Sequence, residues 1–342
     1  MKRFFAFLLS VVLLFSVGCC SEPVKTLENN IYVYFLDVGQ ADCTLITLNG
    51  SAMLIDGGNV EDGPDIVRFI RKLGIDTIDT VVATHAHEDH IGGLSTVIDS
   101  FNVNKIYSPV KSYNSACFEE FKDAADRQCG ITLCKKGAAW NLDLADILTL
   151  WPENTEALDT NNTSITLKLT YGDVSFLFTG DLEKPCETKI VESGALLDAD
   201  VLKVGHHGSD TSTSYFFLRA SLPQAGIISC GKDNSYGHPH DETLERLKQA
   251  EVNVYRTDEL GTITVISNGK TFSVNYGDIE ENFDGTKRSA PAIQVYYVGN
   301  VKSKKFHLPS CTGLPKMDNR IVFYSRANAV DAGFSPCGTC KP

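Results

Sequence analysis

The sequence predicts an α/β domain followed by a small metal-stabilised C-terminal unit, and three observations carry that expectation. Strand-like and helix-like stretches alternate between Ile31 and Tyr276. The run Thr84-His85-Ala86-His87-Glu88-Asp89-His90-Ile91-Gly92-Gly93 gathers metal-competent side chains between a strand-like stretch and a helix-like one. Near the end of the chain, Phe306-His307-Leu308-Pro309-Ser310-Cys311 is answered by Ser335-Pro336-Cys337-Gly338-Thr339-Cys340, a second set of ligand-type residues.

Taken in order, residues 1–20 differ in kind from the rest. Met1-Lys2-Arg3 is a basic start, and an apolar stretch too short for a comfortable membrane span runs to Val17, closed by Gly18-Cys19. This resembles a bacterial lipoprotein signal, which implies lipidation of Cys19, a tether over 21–30 and a mature protein on the cell surface, or secreted. Strands are expected at 31–36 and 43–47, then a helix at 63–73 whose Ile66, Phe69, Ile70 and Leu73 share one face. A strand at 80–83 precedes the histidine run, and helices follow at 94–98 and 117–129. Segments 165–170 and 174–178 flank Tyr171-Gly172-Asp173 as a hairpin. Strand, helix and strand follow at 227–229, 243–250 and 252–255, and 262–266 pairs with 271–275 around Asn268-Gly269. Residues 278–293 are acidic with little apolar periodicity and read as a linker between a domain at 31–277 and a unit at 294–342. With 342 residues, 43% hydrophobic and only 22% charged, the chain is long enough for both and is not disordered.

In an extended segment His85 and His87 point to the same side and can share one cation. After a bend at Glu88, Asp89 and His90 face a position for a second. Two ions about 3.5–4 Å apart are the usual machinery for displacement at phosphorus or carbonyl centres. The glycines behind them let backbone pass close beneath.

The spacing H-x-H-x-D-H resembles the signature of the metallo-β-lactamase fold superfamily, and other stretches of the chain match the same pattern. Met53-Leu54-Ile55-Asp56-Gly57-Gly58 is similar to its first motif, in which Asp56 orients the metal histidines from behind. Thr179-Gly180-Asp181 ends an apolar run, as the bridging carboxylate does in that family. Gly205-His206-His207-Gly208-Ser209 supplies a further ligand, assigned by the resemblance to His207, with His206 behind it or facing substrate. The phrases Phe35-Leu36-Asp37-Val38-Gly39-Gln40-Ala41-Asp42, Asn161-Asn162-Thr163-Ser164, Thr179-Gly180-Asp181-Leu182-Glu183 and Tyr236-Gly237-His238-Pro239-His240 narrow the likeness to the hydrolase domain of ComEC-type competence proteins. The fold this implies is an αββα sandwich, and the ligands it implies are His85, His87, Asp89, His90, Asp181 and His207, holding one or two Zn²⁺ or Mn²⁺ ions. The chain departs from many members in one respect: no histidine lies between His90 and His206, where a third ligand of the first site is usual, and Asn161, Asn162 and Ser164 stand there instead. Donors without cysteine suit zinc, manganese or iron.

The resemblance implies a metal-dependent phosphodiesterase or nuclease acting on extracellular DNA or RNA. Asp89 would orient the attacking water or bind the second ion, and His238 or His240 would contact the phosphate or protonate the leaving oxygen. Asn162, Ser164, Ser209 and His206 are further candidates to touch substrate. A lactonase, a β-lactamase or a choline-phosphate esterase is the alternative on the same scaffold, and a non-catalytic surface binding protein is the third reading. The formal net charge is −12, and losing Lys2 and Arg3 with the signal leaves −14, which argues against avid, phosphate-driven binding. Lys203, Lys232 and Arg256 are candidates for a local basic rim, with surface solubility as the other reading. No transmembrane channel is expected, since no apolar run beyond the signal is long enough to span.

The C-terminal pattern, H-x₃-C followed by C-x₂-C, suits a tetrahedral zinc held by His307, Cys311, Cys337 and Cys340, which a unit this short needs in place of a core. Disulfides are the alternative in an exported chain. The unit resembles the zinc-binding module of Ada-type DNA repair proteins, with His307 where those carry the methyl-accepting cysteine, so methyl transfer is not expected. Of the remaining cysteines, Cys43 and Cys230 read as core thiols, and Cys117, Cys129 and Cys134 stand close enough in sequence for one pair to bridge.

Overall fold

The structure is a computed structural model that describes residues 29–288, 297–308, 311–316, 319–323 and 326–342. The expected signal with Cys19, the tether up to residue 28 and the linker from residue 289 onward lie outside the described residues.

Two sheets face each other. One has nine strands in the spatial order Ile279–Phe283, Phe272–Tyr276, Ile263–Ser267, Ile31–Phe35, Thr44–Leu48, Ser51–Ile55, Thr80–Val82, Ile106–Ser108 and Ile131–Leu133. The other has seven, ordered Asn253–Arg256, Ala225–Ile228, Val201–Lys203, Val174–Phe178, Thr166–Tyr171, Ala145–Trp151 and Ala139–Leu142. Each is antiparallel at one end and parallel at the other, switching between Ser51–Ile55 and Thr80–Val82 in the first and between Val174–Phe178 and Val201–Lys203 in the second.

Side-chain alternation along these strands produces the layers. Met53 and Ile55 point into the space between the sheets while Leu54 points outward under the helices. In the second sheet Phe176 and Phe178 point inward and Leu177 outward. Three apolar cores result. The central one, with Val33, Phe35, Leu169, Tyr171, Phe176 and Ile227, lies between the sheets. The helices Gly63–Lys72, Leu94–Ser100 and Ala116–Gln128 cover the first sheet through Ile66, Ile70, Val97 and Phe121, and Lys184–Glu192, Tyr215–Ser221 and Asp241–Gln249 cover the second through Ile190, Phe217 and Leu247. This is the αββα sandwich that the resemblance implies.

One expectation fails. Residues 279–283, read as the start of a linker, form the edge strand of the larger sheet, paired antiparallel with Phe272–Tyr276. Phe283 stacks on Phe272 with ring centroids 4.5 Å apart, and Glu281 accepts hydrogen bonds of 2.6 Å from the hydroxyls of both Tyr255 and Tyr276. An edge strand open to solvent tolerates acidic residues, so its composition mimics a linker.

The C-terminal unit is a four-stranded sheet, ordered Arg320–Phe323, Tyr297–Asn300, Lys305–His307 and Ser335–Pro336, with the helix Arg326–Asp331. Its apolar core is Phe306, Phe323, Ala329 and Phe334. Among the described residues no helix is long and apolar enough to cross a membrane.

Candidate metal centre

The centre lies where loops leave the C-terminal ends of the parallel strands, at the switch points of both sheets. Its foundation is a stitched pair of turns. The Asp56 carboxylate accepts from the backbone N–H of Thr84 at 2.8 Å and the Thr84 hydroxyl at 2.7 Å, and stands 2.8 Å from His90 Nδ1. Gly57 N–H donates to the His90 carbonyl at 2.7 Å, and Asp42 N–H to the Asp89 carbonyl at 3.0 Å. The backbones touch so closely that a Cβ on Gly92 would fall 2.4 Å from the Val60 nitrogen, and one on Gly93 2.3 Å from the Gly57 carbonyl oxygen. This explains the glycines after His90. His206 and His207 sit at φ of 51° and 52°, a left-handed conformation that costs a non-glycine residue about 1–2 kcal/mol. Strain of this kind is often retained where it aims a functional group.

Four imidazoles obey one rule: each meets a partner through Nδ1 and aims Nε2 at Asp181. His85 Nδ1 is 3.2 Å from Thr84 Oγ1 and 3.3 Å from Ser164 Oγ, and its Nε2 is 3.8 Å from Asp181 Oδ2. His90 turns Nδ1 to Asp56 and Nε2 to Asp181 Oδ1 at 3.3 Å. His206 meets Thr211 Oγ1 at 3.1 Å and reaches Asp181 Oδ2 at 3.6 Å. His207 lies 3.0 Å from the Ser229 carbonyl and 3.2 Å from Asp42 Oδ1, and its Nε2 is 3.2 Å from Asp89 Oδ2 and 3.7 Å from Asp181 Oδ2. His87 presents Nδ1 to His85 Nε2 at 3.1 Å. Nitrogen and oxygen atoms sharing a tetrahedral ion at about 2.1 Å stand about 3.4 Å apart, the spacing seen here. Asp89, His90, Asp181 and His207 bring one ligand atom each within 4.8 Å of one another. His90 Nε2, His207 Nε2 and Asp181 Oδ1 are buried without a hydrogen-bond partner, as atoms reserved for a cation would be.

Electrostatics agree. Burial raises the Asp181 carboxyl, but the imidazoles of His90 and His207 outweigh it and hold it well below the usual carboxylate range. Burial lowers the His207 imidazole, yet Asp181 and Asp42 overcome it and push it up to about 10. His90 is also raised well above its ordinary value, by Asp181 and Asp56 against burial. The cluster of buried carboxylates calls for positive charge, and a metal cation is the form of it that the donor set fits.

A cavity of about 340 Å³ opens above the centre, lined in part by Gln40, His87, Asp89, Asn161, His206 and His238. Several expected substrate contacts are placed elsewhere. Asn162 donates from Nδ2 to Asp159 at 2.8 Å and accepts from the Glu183 N–H at 3.2 Å, so it braces the loop after Asp181 while its neighbour Asn161 reaches the cavity. Ser164 accepts from the Asp181 N–H at 3.0 Å and is fully buried, a strut for ligands. Ser209 is spent in a turn with Thr211. His240 accepts from the Asp210 N–H at Nδ1 (2.9 Å) and donates from Nε2 to the Tyr236 carbonyl (3.2 Å), which leaves no ring nitrogen for a substrate. His238 does line the cavity. Gln40 accepts from the Gly231 N–H at 2.9 Å, so its amide nitrogen faces His238 Nδ1 at 3.3 Å and the Nε2–H of His238 remains as a donor. Burial and the neighbouring His207 and His206 lower its pKa to about 4, so the ring is neutral at pH 7.

The basic rim does not form. Lys203 is buried with Nζ 2.8 Å from Asp42, and Arg256 pairs with Asp258 and Glu259 at 2.6 and 2.9 Å. Of the three, only Lys232 is exposed. Sequence reasoning missed Asp42, Gln40, Asn161 and Tyr236 as contributors. The alternation in Phe35-Leu36-Asp37-Val38-Gly39-Gln40-Ala41-Asp42 carried a signal, because an acid next to a buried strand calls for a partner.

In the C-terminal unit one ligand atom each from His307, Cys311, Cys337 and Cys340 falls within 4.8 Å of the others. The Leu308 N–H donates to Cys340 Sγ at 3.3 Å and the Thr339 N–H to Cys337 Sγ at 3.4 Å, bonds that stabilise thiolates. Backbone N–H groups of Cys340 and Thr339 lower the Cys337 thiol to about 7. Cys117, Cys129 and Cys134, which stand close enough in sequence for a bridge, are free thiols, and Cys43 and Cys230 are buried thiols.

Residues 36–232 match the family model of the metallo-β-lactamase superfamily, and residues 285–342 match that of the metal binding domain of Ada. The chain is 31% identical over 271 residues to ComE operon protein 3 of Bacillus subtilis, covering 73% of this chain and 34% of that protein. It is 33% identical over 236 residues to Recombination protein 2 of Haemophilus influenzae, covering 67% of this chain and 28% of the relative. The chain thus spans about a third of the length of these relatives. Among solved structures, the metallo-β-lactamase fold protein YhfI of Bacillus subtilis aligns with a TM-score of 0.47 at 12% identity, covering 67% of this chain and 96% of that one. The fold, the paired turns and the family match over 36–232 agree: this chain belongs to the metallo-β-lactamase superfamily, whose members are in general metal-dependent hydrolases, and carries an Ada-type metal-binding unit at its C-terminus.

Proposed function

We propose that this protein is a metal-dependent phosphodiesterase that cleaves nucleic acid outside the cytoplasm. The observation that carries the chemistry is the convergence of four Nδ1-partnered imidazoles on Asp181, beside a cavity rather than under a closed core. Nucleic acid is favoured as substrate by a relative named for recombination.

In this reading Asp89, His90, Asp181 and His207 would hold one ion and His85, His87 and Asp181 the other, with His206 as a further donor in place of the histidine that is missing between His90 and His206. Bound divalent ions supply acidity to water and counter-charge to a phosphate. The chain's own residues do the rest. Asp89, about a third exposed, faces the cavity and orients the attacking water. The Nε2–H of neutral His238, fixed by Gln40, donates to a phosphate oxygen or to the leaving oxygen. Asn161 binds the flank of the diester. Export with a lipid on Cys19 belongs to the same proposal, and Cys19→Ser would abolish palmitate labelling of the cell-surface protein.

The test is to count metals in the purified mature chain and incubate it with single- and double-stranded DNA, RNA and bis-p-nitrophenyl phosphate in Mn²⁺ or Zn²⁺. A His87→Ala/Asp89→Ala variant serves as control. Cleavage of a diester by the wild type alone is the expected result. Opening of a lactone or β-lactam with every diester left intact would replace the proposal.

A further inference from the structure

We infer that Tyr236 is a stacking platform for one nucleobase of a single-stranded nucleic acid whose phosphodiester lies at the metal centre. The inference rests on the phosphodiesterase reading above for its substrate class. Tyr236 is 66% exposed, which is unusual for a large aromatic side chain, and it lines the cavity above Asp181.

Its ring begins a ladder. Tyr236 lies over His238 at 5.6 Å between centroids with 22° between planes, and His238 lies over His207 at 6.3 Å with the same tilt. These are offset-stacking distances. Two near-parallel steps therefore lead from a solvent-facing ring to a candidate metal ligand.

The loop is also held in place. The Asn234 side chain accepts from the N–H groups of Tyr236 (3.2 Å) and His238 (3.0 Å) and donates to the carbonyls of Gly231 (2.9 Å) and His238 (2.6 Å). His240 ties the Tyr236 carbonyl to the Asp210 N–H. A platform fixed before binding loses little entropy when a ligand arrives. No hydrogen bond of this network is needed to bury Tyr236, which stays exposed.

Charge points the same way. Net charge is −12, and Lys203 and Arg256 are neutralised internally, so attraction to the phosphate backbone is weak. Stacking, which does not depend on charge, is the other general source of affinity for single strands. A base inside a duplex is already stacked and must be extruded first. The cavity, about 340 Å³, is at the small end of ligand pockets and takes one monomer unit at a time.

The experiment compares an oligothymidylate with an abasic strand of equal length, in wild type, Tyr236→Ala and Tyr236→Phe. Cleavage is followed with the Mn²⁺-loaded full chain, and binding by fluorescence anisotropy in an Asp181→Asn background. Wild type is expected to prefer the base-bearing strand in KM and in Kd. Tyr236→Ala is expected to lose about 5- to 150-fold of that preference, the range for one stacked base, and Tyr236→Phe to keep it. Oligothymidylate is expected to bind better than its duplex with oligoadenylate. Equal preference in wild type and Tyr236→Ala, with diesters still cleaved, overturns the platform and leaves the phosphodiesterase reading standing. Base-dependent binding through Tyr236 without cleavage of any diester supports the platform and removes the phosphodiesterase reading.

Discussion

Lys203→Met gives the most direct test of how the centre is supported. Lys203 Nζ is 2.8 Å from Asp42 Oδ2, with both side chains 6% exposed or less, and the other Asp42 oxygen is 3.2 Å from His207 Nδ1. Burial acts to raise the Asp42 carboxyl, but Lys203 and His207 outweigh it and depress it far below the usual carboxylate range. A carboxyl with a depressed folded-state pKa contributes stability above its unfolded value, about pH 3.9, and loses it as pH falls through the folded value. At pH 7.5 the contribution is complete. Removing one member of a buried pair costs about 3–5 kcal/mol, because the other charge is left without compensation. At about 2–4 °C per kcal/mol for a domain of this size, the melting temperature should fall by about 6–20 °C. The assay is thermal unfolding by circular dichroism at pH 7.5 with chelator present, so that differences in metal loading play no part. Lys168→Met is the control: its 3.0 Å pair with Asp198 is largely exposed on the acid side, and such pairs contribute about 0–1 kcal/mol. Identical melting of the two variants would refute the reasoning, and so would additive costs of Lys203→Met and Asp42→Asn in the double variant, since contacting residues couple.

Asp56→Asn removes the charge facing His90 Nδ1, and metal affinity at the main centre should fall about 10–100-fold in competition with a chromophoric chelator. Gly93→Ala puts a methyl 2.3 Å from the Gly57 carbonyl oxygen, and urea unfolding should show a loss of about 1–3 kcal/mol or more. Cys337→Ser should lower the metal count by one and expose residues 297–342 to limited proteolysis, while the melting of the sandwich stays unchanged.

Much of this was legible in the sequence, and for physical reasons. Strands with one face to a core and the other to a helix layer, such as Ser51–Ile55 and Val174–Phe178, are apolar throughout and bounded by turns. The Asn268-Gly269 hairpin appears where its turn chemistry requires, joining Ile263–Ser267 to Phe272–Tyr276. The short parallel strand Ile106–Ser108 is three residues long and leaves no periodic trace. The edge strand Ile279–Phe283 was hidden by its acids. Within the centre, ligands announced themselves by type and spacing, whereas roles decided by hydrogen-bond partners did not. Nothing in the letters distinguishes Asn161 from Asn162, or a His238 that keeps one ring nitrogen for the cavity from a His240 engaged through both. Lys203 read as a surface charge because the carboxylate that draws it inside, Asp42, is distant in sequence.

The candidate ligands do not all hang from one layer. His85, His87, Asp89 and His90 follow a strand of the larger sheet, and Asp181, His206 and His207 follow strands of the smaller one. A cation among them would act as a rivet at one rim of the sandwich. Chelation would then loosen the join between the two halves at that rim, while the apolar core between the sheets keeps the sandwich folded.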